Sequence, residues 1–269
     1  MMLPSMFGSL AMSNGYVKSV STDPLSINFP FGATLGRAAG HTRIASYGFN
    51  GAPAAGADVW VGQGAYPFQT SAQALEIVSS SASDTAAGTG ARTVTVQGLD
   101  ANFNQIQETV TLNGTSAVAL VNSYLRVNNV QVATSGSGNA NAGTLTLRLS
   151  GAGASQAVMS AGVGYAKQAI YTVPAGFTLI VTDLFFAVGG VATTVNVTFS
   201  FTRISPAGLI TTTNEYPTIP FTPTQRQVAT GTMIASQTAL TTRITGVTST
   251  PPSAYAGFEG ILVANQYLQ

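Results

Sequence analysis

The strongest constraint on the fold of this chain is an alternation of apolar and polar residues that recurs through residues 75–151. Val94 and Val96 alternate with Thr93 and Thr95, and similar runs return four or five times. A period of two places aliphatic side chains on one face of a strand and hydroxyls and amides on the other. The stretch therefore predicts antiparallel strands that each bury one face.

Turn-forming residues separate these runs. Glycine and asparagine accept a positive φ, so clusters rich in them can reverse the chain between neighbouring strands. No lysine follows the Gly88-Thr89-Gly90 cluster and no helix is predicted after it, so it is interpreted as a turn and not as a phosphate-binding loop. The stretch as a whole predicts a β-sandwich built from hairpins. The clusters are Ala87-Gly88-Thr89-Gly90, Leu99-Asp100-Ala101-Asn102, Asn113-Gly114 and residues 135–139.

A second set of strands is predicted after residue 165, with a proline-bearing edge segment at residues 209–221. The number of strands and the long connections between them favour a jelly roll or a related Greek-key sandwich. The predicted fold class is all-β, with two β-sandwich domains, the C-terminal one jelly-roll-like, and an irregular extended N-terminal arm. The predicted boundaries are 1–56 for the arm, 57–150 for the first β-sandwich, 151–164 for a Gly/Ala-rich linker and 165–269 for the jelly-roll-like sandwich.

The predicted arm is broken by glycine and proline, but it carries large apolar side chains. We expect Phe29, Phe31, Tyr47 and Phe49 of the arm, together with Trp60, to contact a partner. The alternative is a set of irregular loops folded over the domain's own core. Trp60 is the single tryptophan, and it could also serve as a sugar-stacking platform or as the anchor of a linker on a core.

Charged residues are unusually sparse. Asp, Glu, Lys and Arg make up 7% of the chain, against about 25% in an average soluble domain. A neutral surface does little to repel neighbouring copies or exposed strand edges, so it suits a protein that works inside an assembly. We therefore predict a homo-oligomer, with a trimer as the expected form. The net charge of +1 gives no reason to expect nucleic acid as a partner, and turn residues interrupt every uncharged stretch long enough to insert into a membrane.

The residue inventory argues against enzyme chemistry. The chain has no cysteine and one histidine, His41, which excludes disulfides, thiolate ligands and a site with several imidazoles. We predict no cofactor, no metal and no catalytic residue. A carboxylate pair for glycan hydrolysis stays open as an alternative. The acids available for it are Asp84, Asp100, Glu108, Asp183, Glu215 and Glu259.

Several runs resemble a family of virion proteins of tailed bacteriophages. They are residues 79–100, which include Asp84-Thr85-Ala86-Ala87-Gly88-Thr89-Gly90-Ala91-Arg92, and then residues 108–114, 124–127, 170–176 and 257–263. The resemblance covers roughly residues 60–263. It implies a non-enzymatic structural component of a phage particle, of β-sandwich build and present in many copies.

Within that class the expected function is capsid decoration. Such a cement or head-fibre protein would lie on the particle surface and stabilise the shell through many contacts with the major capsid protein or other virion proteins. The alternative is a tail fibre or tail adaptor protein that takes part in host attachment. A third hypothesis is a spike that degrades polysaccharide.

Overall fold

The computed structural model describes residues 12–13, 16–17, 39–189, 197–218, 224–248 and 253–268, and these form an all-β protein with antiparallel sheets. The predicted fold class is therefore confirmed. No helix in the described ranges is long and apolar enough to cross a membrane. A short ribbon of β1 (Met12–Ser13) and β2 (Tyr16–Val17) comes first in the chain.

The first sandwich has seven strands in two sheets. The strands are β4 (Gln73–Ser79), β5 (Ala91–Leu99), β6 (Gln105–Thr111), β7 (Val118–Tyr124), β8 (Arg126–Ser135), β9 (Leu145–Leu149) and β10 (Ser155–Met159). The sheet orders are β10-β9-β4-β7 and β6-β5-β8. Val94 and Val96 are fully buried between them, packed in one core with Leu75, Ile77 and Leu147. The alternation in the sequence thus marks the core face correctly.

The second sandwich has eight strands in two four-stranded sheets. The strands are β3 (His41–Asn50), β11 (Ile170–Thr172), β12 (Phe177–Gly189), β13 (Val197–Ile204), β14 (Ile210–Thr218), β15 (Thr224–Ile234), β16 (Ala239–Val247) and β17 (Ser253–Ala264). The sheet orders are β15-β12-β17-β3 and β11-β16-β13-β14. Two four-stranded sheets with this alternation of strands form a jelly roll. The strand with Pro217, β14, lies at a sheet edge as predicted.

Aromatic rings join the two sheets of the jelly roll. Phe186 of β12 stacks on Phe199 of β13 with ring centroids 5.3 Å apart, and Phe201 of β13 meets Phe258 of β17 edge-on at 5.5 Å. All four rings are buried. Each pair crosses from one sheet to the other, so these contacts fix how the sheets face each other.

One jelly-roll strand comes from the segment predicted as an irregular arm. β3 pairs with β17 over ten residues, from the Ala254–Asn50 pair to the Val263–His41 pair. The sequence prediction treated Gly48 as an interruption. In the structure Gly48 lies within the strand, where a Cβ atom would overlap the backbone of Val59 and approach that of Ala169. Phe29 and Phe31, which come earlier in the predicted arm, lie outside the described residues.

The predicted linker also contains a strand. β10 forms an antiparallel hairpin with β9, and the intervening Gly151 and Ala152 have φ values of 80° and 61°. Residues 155–159 therefore belong to the first sandwich.

The first sandwich is inserted into the connection between β3 and β11. Its incoming and outgoing segments lie side by side, because the amide of Ala169 donates to the carbonyl of Val59 at 2.9 Å and Trp60 forms an antiparallel bridge with Gln168. The two sandwiches are thus joined by a paired ribbon, in contrast to the predicted order of domain, linker and domain.

Candidate functional site

Trp60 lies at the junction of the two sandwiches. Its ring meets Tyr66 edge-on with centroids 5.1 Å apart, and its indole nitrogen donates to the carbonyl of Gly64 at 3.1 Å. The residue is 3% exposed and packs with Ile170 in a small buried cluster. The ring therefore offers no face to a sugar or a partner protein. Of the three roles considered for it, anchoring a connection is the one that its surroundings support.

Two other predicted contact residues lie on an exposed sheet surface. We define the outer sheet face as the side of sheet β15-β12-β17-β3 that points away from the jelly-roll core. Tyr47, Tyr255 and Met233 are 45%, 38% and 60% exposed there. Phe49 is half-buried against Tyr255, with ring centroids 5.1 Å apart. Half-buried Phe185 stands in the same cross-strand row as Tyr47.

Glycine at position 257 allows Tyr47 to lie across the sheet. Gly257 is the cross-strand partner of Tyr47, and a Cβ atom at this position would overlap the tyrosine ring. The phenol reaches Glu259, whose carboxylate also binds Arg43 Nη2 at 2.5 Å. Burial and then the hydrogen bond to Glu259 raise the pKa of Tyr47 to about 12. Burial acts to raise the pKa of Glu259, but the bonds from Arg43 and Tyr47 outweigh it and lower that pKa.

The acids considered for hydrolysis are mostly held by other groups. Asp84 is buried under four hydrogen bonds, Asp100 caps a turn, and Glu108 accepts the backbone amides of Val121 and Asn122 on edge strand β7. The side chain of Glu215 lies outside the described residues.

One pair of these acids is brought together. Asp183 and Glu259 are cross-strand neighbours on β12 and β17. They lie on a sheet surface and not in a cleft, and the carboxylate of Glu259 is bound by Arg43 and Tyr47. His41 lies apart from this pair along the strands, with Nδ1 2.8 Å from the carbonyl of Ala39. Across the described residues, no group of three or more His, Asp or Glu side chains is placed to hold a metal ion.

A cleft of about 670 Å³ runs between the two sandwiches. One wall is edge strand β3 from residue 42 to residue 47, and the other is the polar face of sheet β6-β5-β8. Gln97 stands at the centre of the polar wall, donating to Gln107 at 2.7 Å and accepting from Asn129 at 3.1 Å. This row of three amides spans all three strands of the sheet.

Tyrosines and a buried amide complete the cleft. Tyr165 is 47% exposed, and the ammonium of Lys167 lies 5.9 Å from the centroid of its ring. Tyr171 lines the cleft as well, and burial raises the pKa of its phenol. Gln168 also lines it, is 4% exposed, and donates through Nε2 to the carbonyl of Val127 at 3.1 Å. Its Oε1 is buried and accepts no hydrogen bond from the described residues.

Asn128 joins the polar wall of the cleft to the jelly roll. Its Nδ2 donates to the carbonyl of Thr172 at 2.9 Å, and its Oδ1 accepts from the amide of Thr172 at 2.8 Å. The side chain thus binds the backbone of β11 as a neighbouring strand would. The sequence predicts amides on one face of these strands, but it does not show that this face meets β3, because that contact depends on the insertion of one sandwich into the other.

Comparison with known proteins gives no family assignment. No family model and no curated protein matches the chain, so the resemblance to tailed-phage virion proteins stays a prediction. Among solved structures, particles of infectious bursal virus with T=1 symmetry match at 10% identity and a TM-score of 0.25, covering 84% of this chain and 70% of theirs. A tandem CBM22 domain of Paenibacillus barcinonensis Xyn10C matches at 10% identity and a TM-score of 0.25, covering 84% and 93%. TM-scores this low establish neither a shared fold nor a shared function.

Proposed function

We propose that this chain is a structural component of a virus particle and that it acts by binding other proteins. The observation that carries the proposal is the outer sheet face, where Tyr47 and Tyr255 expose aromatic surface beside half-buried Phe49 and Phe185. Contiguous apolar surface on a soluble protein marks an interaction site more often than chance exposure. Aromatic residues are also enriched in protein interfaces.

The composition and the topology support the same function. With 7% charged residues, the chain has few groups that would keep copies apart at high local concentration. Eight-stranded jelly rolls occur in viral capsid and lectin domains, among others. A fold of this kind hosts many functions, so the topology supports the proposal only together with the exposed surface.

The finer proposal is a capsid-decorating protein of a tailed bacteriophage, of the cement or head-fibre kind, on the particle surface. It would form a homotrimer and bind the major capsid protein or another virion protein through Tyr47 and Phe49 of the outer sheet face. Many modest contacts, repeated around a symmetric shell, give a large total stabilisation. The alternative is a tail fibre or tail adaptor protein, which the number of copies per particle distinguishes: hundreds for decoration, and about a dozen or fewer for a tail component.

The oligomeric state of the purified protein tests the outer sheet face directly. We expect light scattering to show a trimer for the wild-type chain and dissociation for Tyr255→Glu, because a carboxylate at a packed interface costs desolvation energy without a partner. Val121→Glu is the matched control, since Val121 is 95% exposed on the other sandwich. A monomeric wild-type protein, or a trimer that Tyr255→Glu leaves intact, contradicts the proposal.

A further inference from the structure

We propose that the cleft between the sandwiches binds a neutral oligosaccharide chain. This site goes beyond the structural role proposed above and does not depend on it. A volume of about 670 Å³ falls within the roughly 300–1,000 Å³ of small-ligand pockets, and junctions between domains are a common place for such pockets. The groups that line the cleft determine which ligand fits.

The polar wall presents amides with unused hydrogen-bonding capacity. Within the described chain Gln107 uses only its Oε1, and Asn129 uses only its Nδ2. Each amide therefore keeps both a donor and an acceptor for a ligand, and Gln105 adds a further exposed amide. A sugar hydroxyl donates one hydrogen bond and accepts others, so neighbouring hydroxyls on a pyranose ring match a row of amides spaced along a sheet.

An aromatic ring supplies the other half of sugar recognition. The ring of Tyr165 is 47% exposed beside the amide row. A pyranose ring has one face of C–H groups, which packs on an aromatic ring, while the phenol remains available for hydrogen bonding. The cleft thus offers an aromatic ring and neutral hydrogen-bonding groups at once.

The charges of the cleft favour a ligand without net charge. Arg43 is the one charged residue among those that line it, and its guanidinium is bound by Glu259 at 2.5 Å. Lys167 is the nearest other cation, and its ammonium lies against the ring of Tyr165 and not among the lining residues. A carboxylated or sulfated glycan would therefore find no unpaired cation in the lining itself to compensate the loss of its hydration. A neutral glycan has no such cost.

An extended peptide added to the free edge of β3 is the competing occupant. Such strand addition derives its specificity from pockets for alternate side chains. The wall opposite β3 instead presents the flat amide row of Gln97, Gln107 and Asn129, which fits hydroxyl groups better than side chains. The lining of the cleft therefore favours a glycan over a peptide, and binding of a peptide is the competing outcome of the experiment below.

Isothermal titration calorimetry with defined hexasaccharides tests the site. The probes are maltohexaose, cellohexaose and an α-1,6-glucan hexamer as neutral chains, with an oligogalacturonate hexamer as the acidic chain. We expect at least one neutral hexamer to bind, and Gln107→Ala and Tyr165→Ala each to weaken its binding about tenfold, as the loss of one good contact does. Thr111→Ala is the control, an exposed polar residue on the same sheet outside the cleft, and it should leave the affinity unchanged. If one of these variants fails to fold, Gln105→Ala is tested in its place and should also weaken binding, because Gln105 lines the cleft.

Three results overturn the proposal. The first is no binding of any neutral hexamer at millimolar concentration, and the second is binding that Gln107→Ala and Tyr165→Ala leave unchanged. The third is preferential binding of the acidic hexamer, or of a synthetic peptide covering residues 18–38, in a manner sensitive to the same variants. Light scattering on the same samples reports the oligomeric state separately, so failure of this site and failure of the structural role are distinguishable.

Discussion

Replacement of Asp84 by asparagine should destabilise the first sandwich strongly, although the two side chains have nearly the same shape. Asp84 is fully buried. Its Oδ1 accepts from the amides of Ala91 and Ala142, both at 2.7 Å, and its Oδ2 accepts from the amide of Gly143 at 2.8 Å and the hydroxyl of Ser79 at 2.6 Å. One carboxylate therefore ties its own neighbourhood, from Ser79 to Ala91, to residues that lie 58 and 59 positions further along the chain.

The expected loss of stability follows from the four groups that donate hydrogen bonds to this carboxylate. An asparagine would place its NH₂ group where Oδ2 now lies, because the hydroxyl of Ser79 can turn to accept a hydrogen bond and a backbone amide cannot. The amide of Gly143 then loses its acceptor inside the protein, which costs about 1–3 kcal/mol, and the remaining bonds lose the extra strength of a charged acceptor. The total is about 3 kcal/mol.

Thermal unfolding measures this loss. A change of about 3 kcal/mol corresponds to a fall in Tm of roughly 8 °C for a chain of this size. Asp100→Asn is the matched control, because Asp100 caps an exposed turn where water can replace the lost bonds. We expect Asp100→Asn to lower the free energy of unfolding by about 1 kcal/mol or less. Equal effects of the two substitutions would refute the reasoning.

The same carboxylate predicts an acid limit of stability. Burial acts to raise the pKa of Asp84, but the bonds from Ser79, Ala142, Gly143 and Ala91 outweigh it and hold the pKa below its ordinary value. A lowered pKa in the folded state contributes stability above the unfolded-state pKa, and that stability is lost as the pH falls through the folded-state pKa. The wild-type chain should therefore lose stability below about pH 4, the ordinary value for an aspartate, and more steeply than Asp84→Asn.

Three further substitutions test other contacts. Asp58→Asn should lower the free energy of unfolding in urea by about 3 kcal/mol, because buried Asp58 accepts two hydrogen bonds from Arg243, at 3.0 and 3.2 Å. A loss no larger than that of Asp100→Asn would contradict this. Gly257→Ala should displace the ring of Tyr47 and move its pKa from about 12 toward 10, measured as the ultraviolet titration difference from Tyr47→Phe; an unmoved pKa would show that the ring tolerates the methyl. Asn128→Ala should lower the free energy of unfolding by about 2 kcal/mol and speed hydrogen exchange in β11, since two hydrogen bonds to Thr172 are lost. Unchanged exchange would show that β11 does not depend on this side chain.

The sequence predicts the local features of the fold well. Alternation identifies β5 and the buried Val94 and Val96, and proline identifies β14 as an edge strand. Both signals are local, because they depend on side-chain direction within one strand or on a missing amide hydrogen. The jelly-roll character of the second sandwich was also predicted, from the number of strands and the length of their connections.

The strand and the site that escaped prediction depend on long-range contacts. β3 lies more than 200 residues from its partner β17 in the sequence, and the strand needs a glycine at position 48 because the backbone of Val59 crosses it closely. The amides of the cleft are visible as one polar face, but nothing in their spacing shows that β3 lies opposite. Trp60 was among the expected contact residues, yet the same close approach of the two sandwiches buries it.

The paired ribbon that escaped prediction is also what makes the cleft suitable as a binding site. A single Gly/Ala-rich linker would let the sandwiches move against each other, so a ligand between them would have to offset the entropy of ordering both domains. Instead the chain crosses twice, through segments joined at Val59 and Ala169, and Asn128 adds two hydrogen bonds to β11. The amide row and the tyrosines are therefore held at a fixed distance before any ligand arrives. Because Asn128→Ala loosens this junction and leaves the amide row of Gln97, Gln107 and Asn129 in place, it should weaken glycan binding in the cleft while Thr111→Ala does not.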